Sequence, residues 1–337
     1  MNSSKALVAR REIDAIELPI FADLLTRISR FRSLAGHAYG AMSGFAMDDQ
    51  KKLYRTLGLR PMLSFDERIE IVARQRFNRP TIRSHVTIST FERFASEWPK
   101  IFAEEGFEDA QNHILWVRTG TSENAGQGVR FFQQMVGSLA EGGLARITLG
   151  IDYEDWAGPL YSDGRRRLEL DRQKQVGQKV REYLADFLEE HEMPDAMNED
   201  SLYSALATAY GSAAATAVGG ATGRTFEPLS LIRYGPGPVD LTLTGIVVAT
   251  ADRSRVHACI EEGGWPFASR TWADIKNLRL PDVTFRERLE LEASAGDKIA
   301  AQKRLHFDLD EATREDGVFD SFARYHRYFP AMVAADF

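Results

Sequence analysis

The sequence predicts a mixed α/β protein, rich in helix. One parallel βαβ unit is expected near residues 113–151 and a mainly antiparallel β-region near 226–292. Three observations carry this. The stretch His113 to Asp155 reads as strand, glycine-rich loop, helix and strand, closed by three carboxylates. Apolar stripes at helical spacing recur on both sides of it. From Thr225 onward, apolar and polar residues alternate around Gly235-Pro-Gly-Pro238, as half-buried strands do around a turn.

In chain order, residues 12–36 predict a helix, because Phe21, Leu24, Leu25, Ile28 and Phe31 fall on one face. Residues 37–47, rich in Gly, Ala and Met, have no period. Asp48–Leu57 predicts a short helix. Ser64–Gln75 predicts another, opened by Ser64-Phe-Asp-Glu67 as a capping box. Thr81–Ser89 alternates as a strand, and Phe91–Glu105 returns to helical spacing. His113–Arg118 is a strand, residues 119–128 a loop, Val129–Glu141 a helix and Leu144–Ile151 a strand. Val176, Val180, Tyr183, Leu184, Phe187 and Leu188 make one helical stripe, which Pro194 ends. The next helix, to about Val218, carries Ala207, Gly211 and Ala215 every fourth position, a pattern that lets another helix approach closely. A domain boundary is expected near 156–164, between a first part (1–155) and a second (165–337).

The chain of 337 residues is 44% hydrophobic and 27% charged, enough apolar material for substantial cores. No apolar run approaches the length a membrane span needs, so no membrane partner is expected. Cys259 is alone, which excludes an internal disulfide and cysteine-rich zinc sites and fits a cytoplasmic protein. Net charge is −7, yet residues 1–100 carry +6 and the remainder −13. A basic third on an acidic body predicts two surfaces with different partners.

Several constellations invite chemistry. If the strands around 113–151 are parallel, the loop Thr119, Gly120, Thr121, Ser122 and the acids Asp152, Glu154, Asp155 emerge at one sheet edge. Loop amides and hydroxyls would receive a phosphate, and the acids would hold Mg²⁺. The loop lacks the Gly-Lys-Ser/Thr ending of a P-loop, and Glu123 would repel a phosphate, so the plainer reading is a surface connection. Arg74, Arg76, Arg79 and Arg83 surround Phe77, a set suited to phosphate or nucleic-acid contact; the plainer reading is a solvated charged segment. His306, Asp308 and Asp310, if extended, share one face and form a second candidate metal set; a polar edge is the plainer alternative.

No complete catalytic motif is present. The sequence reading is therefore a cytoplasmic interaction or assembly subunit, with a protein partner or a second copy and with nucleic acid at its basic face. The alternative is a Mg²⁺-dependent enzyme acting on a nucleotide or another phosphate-bearing substrate at the 119–128/152–155 edge. No cofactor other than Mg²⁺ is expected.

Overall fold

The computed structural model describes residues 3–121, 125–162, 165–219, 223–235, 239–279, 283–294, 296–310 and 317–329. The chain opens with a long helix, α1 (Ser3–Phe31), and then alternates strand and helix. The order is β1 (His37–Ala41), α2 (Asp48–Leu57), β2 (Met62–Asp66), α3 (Ile69–Asn78), β3 (Ser84–Ile88), α4 (Phe91–Glu104), β4 (Asn112–Thr121), α5 (Ala125–Gly137) and β5 (Leu144–Ile151). A short helix α6 (Tyr153–Ala157) leads into a small separate ladder of β6 (Tyr161–Ser162) and β7 (Arg165–Arg166). Next come α7 (Glu169–Leu184), α8 (Glu199–Val218), β8 (Arg224–Gly235), β9 (Val239–Ala249), α9 (Arg253–Glu261), β10 (Lys276–Arg279), α10 (Phe285–Ala293) and α11 (Lys298–Leu305). The last helix, α12, is Val318–Tyr325.

One eight-stranded sheet organises the molecule, in the order β10-β8-β9-β5-β4-β1-β2-β3. The five strands from β3 to β5 are mutually parallel. The expected βαβ unit is there: β4 and β5 pair in parallel from Ile114↔Leu144 to Thr121↔Ile151. The expected antiparallel region is there in its first half, because β9 runs against both β5 and β8; beyond Ala249 the expectation is corrected, since α9 and α10 are helices and β10 pairs with β8 in parallel. Through β9 the sheet takes strands from both sides of the boundary expected near 156–164.

Parallel strands with both faces covered need apolar residues on each side. On β4, Leu115 and Val117 face one core while Ile114 and Trp116 face the other. Helices α4, α5, α7 and α8 supply the first core; α1, α2 and α9 supply the second. The small-residue pattern of α8 packs inside this fold. A methyl group at Gly128 of α5 would lie 2.7 Å from the Tyr210 hydroxyl of α8. One at Gly211 would enter the Trp272 ring.

Two of the boundaries that differ from expectation bear on function. Ser64–Asp66 is the end of β2, and the following helix begins only at Ile69, with no side-chain cap. All five residues of β2 are buried, so the strand shows no alternation to separate it from a buried helix. The expected loop at Thr119–Ser122 is also corrected: Thr119, Gly120 and Thr121 continue β4, paired with Leu149, Gly150 and Ile151. Ser122 lies outside the described residues. Of the glycines that suggested a loop, Gly126 and Gly128 serve close packing instead: a methyl at Gly126 would strike the Tyr183 carbonyl, whereas Gly120 faces open space.

Candidate cofactor site

In the parallel half, β1 has β2 on one side and β4 on the other. The chain first winds outward through β2 and β3, then returns to β4 and β5. At such a reversal the two crossovers diverge and leave a crevice outside the carboxyl ends of the strands, where open α/β sheets bind ligands. A cavity of about 380 Å³ lies there. It is walled by Ala41–Gly44 after β1, Asp66 and Arg68 after β2, Trp116 and Arg118 of β4, Asp48 and Asp49 at the start of α2, and Leu18 of α1.

The segment between β1 and α2 is held from three directions. The Gln75 side-chain amide donates to the Ser43 carbonyl, and Asn78 Nδ2 donates to the Phe45 carbonyl at 3.0 Å. The Arg74 guanidinium lies 3.6 Å from the centre of the Phe45 ring. Met47 turns the chain into α2 in the left-handed region, at φ 54°, and is itself fully buried. Asp49 Oδ2 accepts from the Tyr39 hydroxyl at 2.8 Å and from Ser43 Oγ at 2.7 Å. Burial pushes the Asp49 carboxyl above its ordinary range, and these hydroxyl bonds only partly offset that rise.

Asp66 ends β2 at the cavity wall and is 6% exposed. Its Oδ1 accepts from the Arg68 backbone amide and from Arg68 Nε, both at 2.9 Å, and its Oδ2 accepts from Nη2 at 3.0 Å. Burial raises this carboxyl, but the Arg68 bonds outweigh it and hold Asp66 below its usual range. Arg68 itself is more than half exposed, so it can rearrange at modest cost.

Beneath the cavity lies a buried ionic cluster that sequence reasoning did not find. Glu17 of α1 is fully buried. Its Oε1 accepts from Arg146 Nη2 at 2.9 Å, Thr148 Oγ1 at 3.1 Å and Thr242 Oγ1 at 2.6 Å; its Oε2 accepts from Arg118 Nη2 at 2.7 Å. Burial raises the Glu17 carboxyl, and the two guanidiniums with Thr242 overcome that and keep it ionised. Arg118 also reaches Asp240, at 3.8 Å. The helix over the sheet is thus tied to a cavity-lining cation on β4.

The residues singled out by sequence fall elsewhere. Asp152 caps α6, accepting from the Glu154 amide at 3.0 Å. Glu154 takes Arg172 at 2.5 Å, and the Asp155 carbonyl takes Lys179 at 2.6 Å. His306 is not in extended chain but ends α11, at φ 65°. Asp308 accepts from Gln302, and Asp310 accepts from Lys298 at 2.7 Å. Among the described residues, no three His, Cys, Asp or Glu side chains gather as a metal site requires. Arg74, Arg76, Arg79 and Arg83 lie together along α3 and the turn after it, all exposed. Among the described residues none of the four forms an ion pair.

Asp66 is the cavity-wall residue that sequence reasoning passed over. Its signal is an acid closing the apolar run Met62-Leu-Ser-Phe, about twenty residues after a glycine-bearing turn, the spacing at which nucleotide-binding βαβ units place a ribose-binding acid.

A family model described as "Putative O-methyltransferase" matches residues 10–337. The chain belongs to this family. A putative O-methyltransferase is an enzyme family, so the expected non-enzymatic assembly subunit is corrected, and with it the protein-interaction role. No protein of curated function matches the chain in sequence. Among solved structures it is similar to Trm1 from Pyrococcus horikoshii in complex with S-adenosyl-L-methionine, at 7% identity and TM-score 0.41 over 69% of this chain and 55% of that one. It is similar to LepI in complex with SAM, at 10% identity and TM-score 0.34 over 66% of this chain and 46% of that one. It is also similar to a probable spermidine synthase from Corynebacterium glutamicum, at 10% identity and TM-score 0.36 over 80% of this chain and 82% of that one. The chain thus covers about half the length of the first two. Among the described residues, no helix of this family member is long and apolar enough to cross a membrane.

Proposed function

We propose that this protein transfers a methyl group from S-adenosylmethionine to an oxygen of its acceptor, with the cofactor held in the cavity where β1, β2 and β4 end. The observation that carries the reading is Asp66, a buried carboxylate closing β2 at the wall of the switch-point cavity. A ribose diol offers two donors, and an ionised carboxylate is an acceptor with about four lone-pair positions. Asp66 can therefore receive the diol while keeping part of its bond to Arg68.

The other wall residues fit the same ligand. Asp48, Asp49 and Asp66 outnumber Arg68 and Arg118, so the cavity favours a ligand that carries positive charge. A volume of about 380 Å³ lies within the range of small-molecule sites. When bound, the cofactor supplies an electrophilic methyl carbon whose sulfur departs with the bond pair as a neutral thioether. The chain's own work is placement. Gln75, Asn78 and Arg74 fix the 43–45 segment against which the ligand rests, and Glu17 holds the Arg118 guanidinium at the end of β4.

Isothermal titration with S-adenosylhomocysteine tests this directly. The wild-type chain should bind, and Asp66→Asn should weaken binding by about tenfold, the worth of one good hydrogen bond to a charged group. Absence of any binding by wild-type protein at millimolar ligand, with the fold intact by circular dichroism, would remove the reading.

A further inference from the structure

Beside the cavity, on the outer edge of the sheet, lies a surface of different chemistry. From Arg74 to Arg83 the chain carries four arginines and no acid. Between Lys52 and Lys100 every Lys-or-Arg position is arginine. Within this stretch Phe77 is 89% exposed and Ile82 is 83% exposed, above the other exposed large apolar side chains of the described residues. Exposing a whole aromatic ring among cations forfeits its hydrophobic burial, and nothing inside this fold recovers it.

We propose that the face formed by α3 and the turn to β3 binds single-stranded nucleic acid. Phe77 offers a flat platform for an unpaired base, and Arg76, Arg79 and Arg83 meet the phosphates on either side. Stacking on an aromatic ring with flanking cations is how sequence-tolerant single-strand binding works. The arginine fork matches two phosphate oxygens at once, which an ammonium does not. A lipid surface would need a contiguous apolar patch to insert. Here the two exposed apolar side chains are five positions apart, each next to an arginine. The net charge of −7 gives no general attraction for polyanions, so binding must be local to this face.

The face also adjoins the cavity. Arg74 stacks on Phe45, and Phe45 sits between Gly44 and Ala46 of the cavity wall. A strand lying on Phe77 is thereby brought beside the methyl donor, which would make it the acceptor; this last clause alone rests on the proposed function.

The test is fluorescence anisotropy with a labelled twelve-residue oligouridylate and no cofactor, at several salt concentrations. Three phosphate contacts predict a slope of log K against log salt of about −2. Arg76→Ala and Arg79→Ala should each make the slope shallower by about 0.7. Phe77→Ala should weaken binding about tenfold and leave the slope unchanged. These positions are exposed, and matched thermal melts will show the variants folded. The proposal is overturned if wild-type protein shows no salt-dependent binding or if the three variants bind as it does. Equal competition by polyglutamate would point to an acidic protein partner and sink it. So would sedimentation with phosphatidylserine vesicles in the absence of oligonucleotide binding. Because no cofactor is present, failure here leaves the cofactor titration standing, and failure of that titration leaves this one readable.

Discussion

The two rims of the central sheet are built from opposite kinds of side chain. At the carboxyl rim, charged groups surround a cavity: Asp49, Asp66, Arg68 and Arg118, with Glu17 and Arg146 buried beneath. At the amino rim, β1 and β4 begin with His37, Asn112 and His113, which pack against neighbouring rings and loop carbonyls. His113 packs against Trp98 and Phe102 at 4.6 and 4.8 Å between ring centres. Asn112 Nδ2 donates to the Glu141 carbonyl at 2.7 Å, and His37 Nε2 lies 3.4 Å from the Gly142 carbonyl. At one rim Asp66 and Glu17 stay ionised through their guanidinium partners; at the other, burial favours the neutral form of both imidazoles. The same backbone topology ends in a charge-lined cavity on one side and, where β4 begins, in a plug of packed rings on the other, so the side chains at the strand ends decide the chemistry of each rim.

The largest expected effect breaks the pairing at the carboxyl rim. Glu17→Ala leaves Arg146, only 1% exposed, without its carboxylate, and should cost about 3–5 kcal/mol of unfolding free energy in a urea titration. A loss below about 1 kcal/mol would mean the cluster contributes little.

The next concerns the plug. Burial, with His37 nearby, lowers His113 from 6.5 to about 4. Below pH 6.5 the unfolded chain takes up this proton while the folded chain resists it. Stability should therefore fall as pH drops from about 6.5 towards about 4 and then level off. The part attributable to His113 between neutral pH and pH 5 is about 1–2 kcal/mol. His113→Leu should remove that part and leave a smaller dependence from His37, which burial also lowers. Identical pH profiles for variant and wild type would show that the ring is not the sensor.

Asp66→Asn separates ligand binding from folding. Its partner Arg68 is 60% exposed and can return to water, so the stability loss should stay under about 1 kcal/mol while cofactor affinity falls. The smallest effect belongs to the outer arginines. Arg76→Ala should leave the unfolding free energy within about 0.5 kcal/mol of wild type, since no internal partner is lost.

How much of this the sequence revealed depends on which rule each segment obeys. The β4–α5–β5 unit was legible because Ile114-Leu-Trp-Val117 is a short apolar run of the kind a strand buried on both faces shows, and because the second strand, Leu144–Ile151, is long. The β8–β9 hairpin was legible because polar Asp240, Thr242 and Thr244 punctuate Leu241 and Leu243. The switch point was not. Its central strand, His-Ala-Tyr-Gly-Ala, is short, and Gly40 is required there because a methyl group would come within 2.7 Å of Phe102. The neighbouring strand, β2, ends in Ser-Phe-Asp, which imitates a helix cap. Without those two strands Asp66 had no geometric meaning. Gly126 and Gly128 were overread for the complementary reason: small residues that admit a neighbouring helix look the same in sequence as small residues that loosen a loop.

The Glu17 cluster also sets an order of assembly. Glu17 leaves the ribosome well before Thr242, which donates to it at 2.6 Å and follows 225 positions later. At roughly 5–20 residues per second, the first helix waits on the order of tens of seconds for the hairpin strand that completes its seat. During that interval its carboxylate has no finished pocket, so the nascent chain either holds α1 loosely or relies on a helper to shield it. A protein stalled or truncated before β9 should therefore be far more vulnerable to proteases than its length alone would imply.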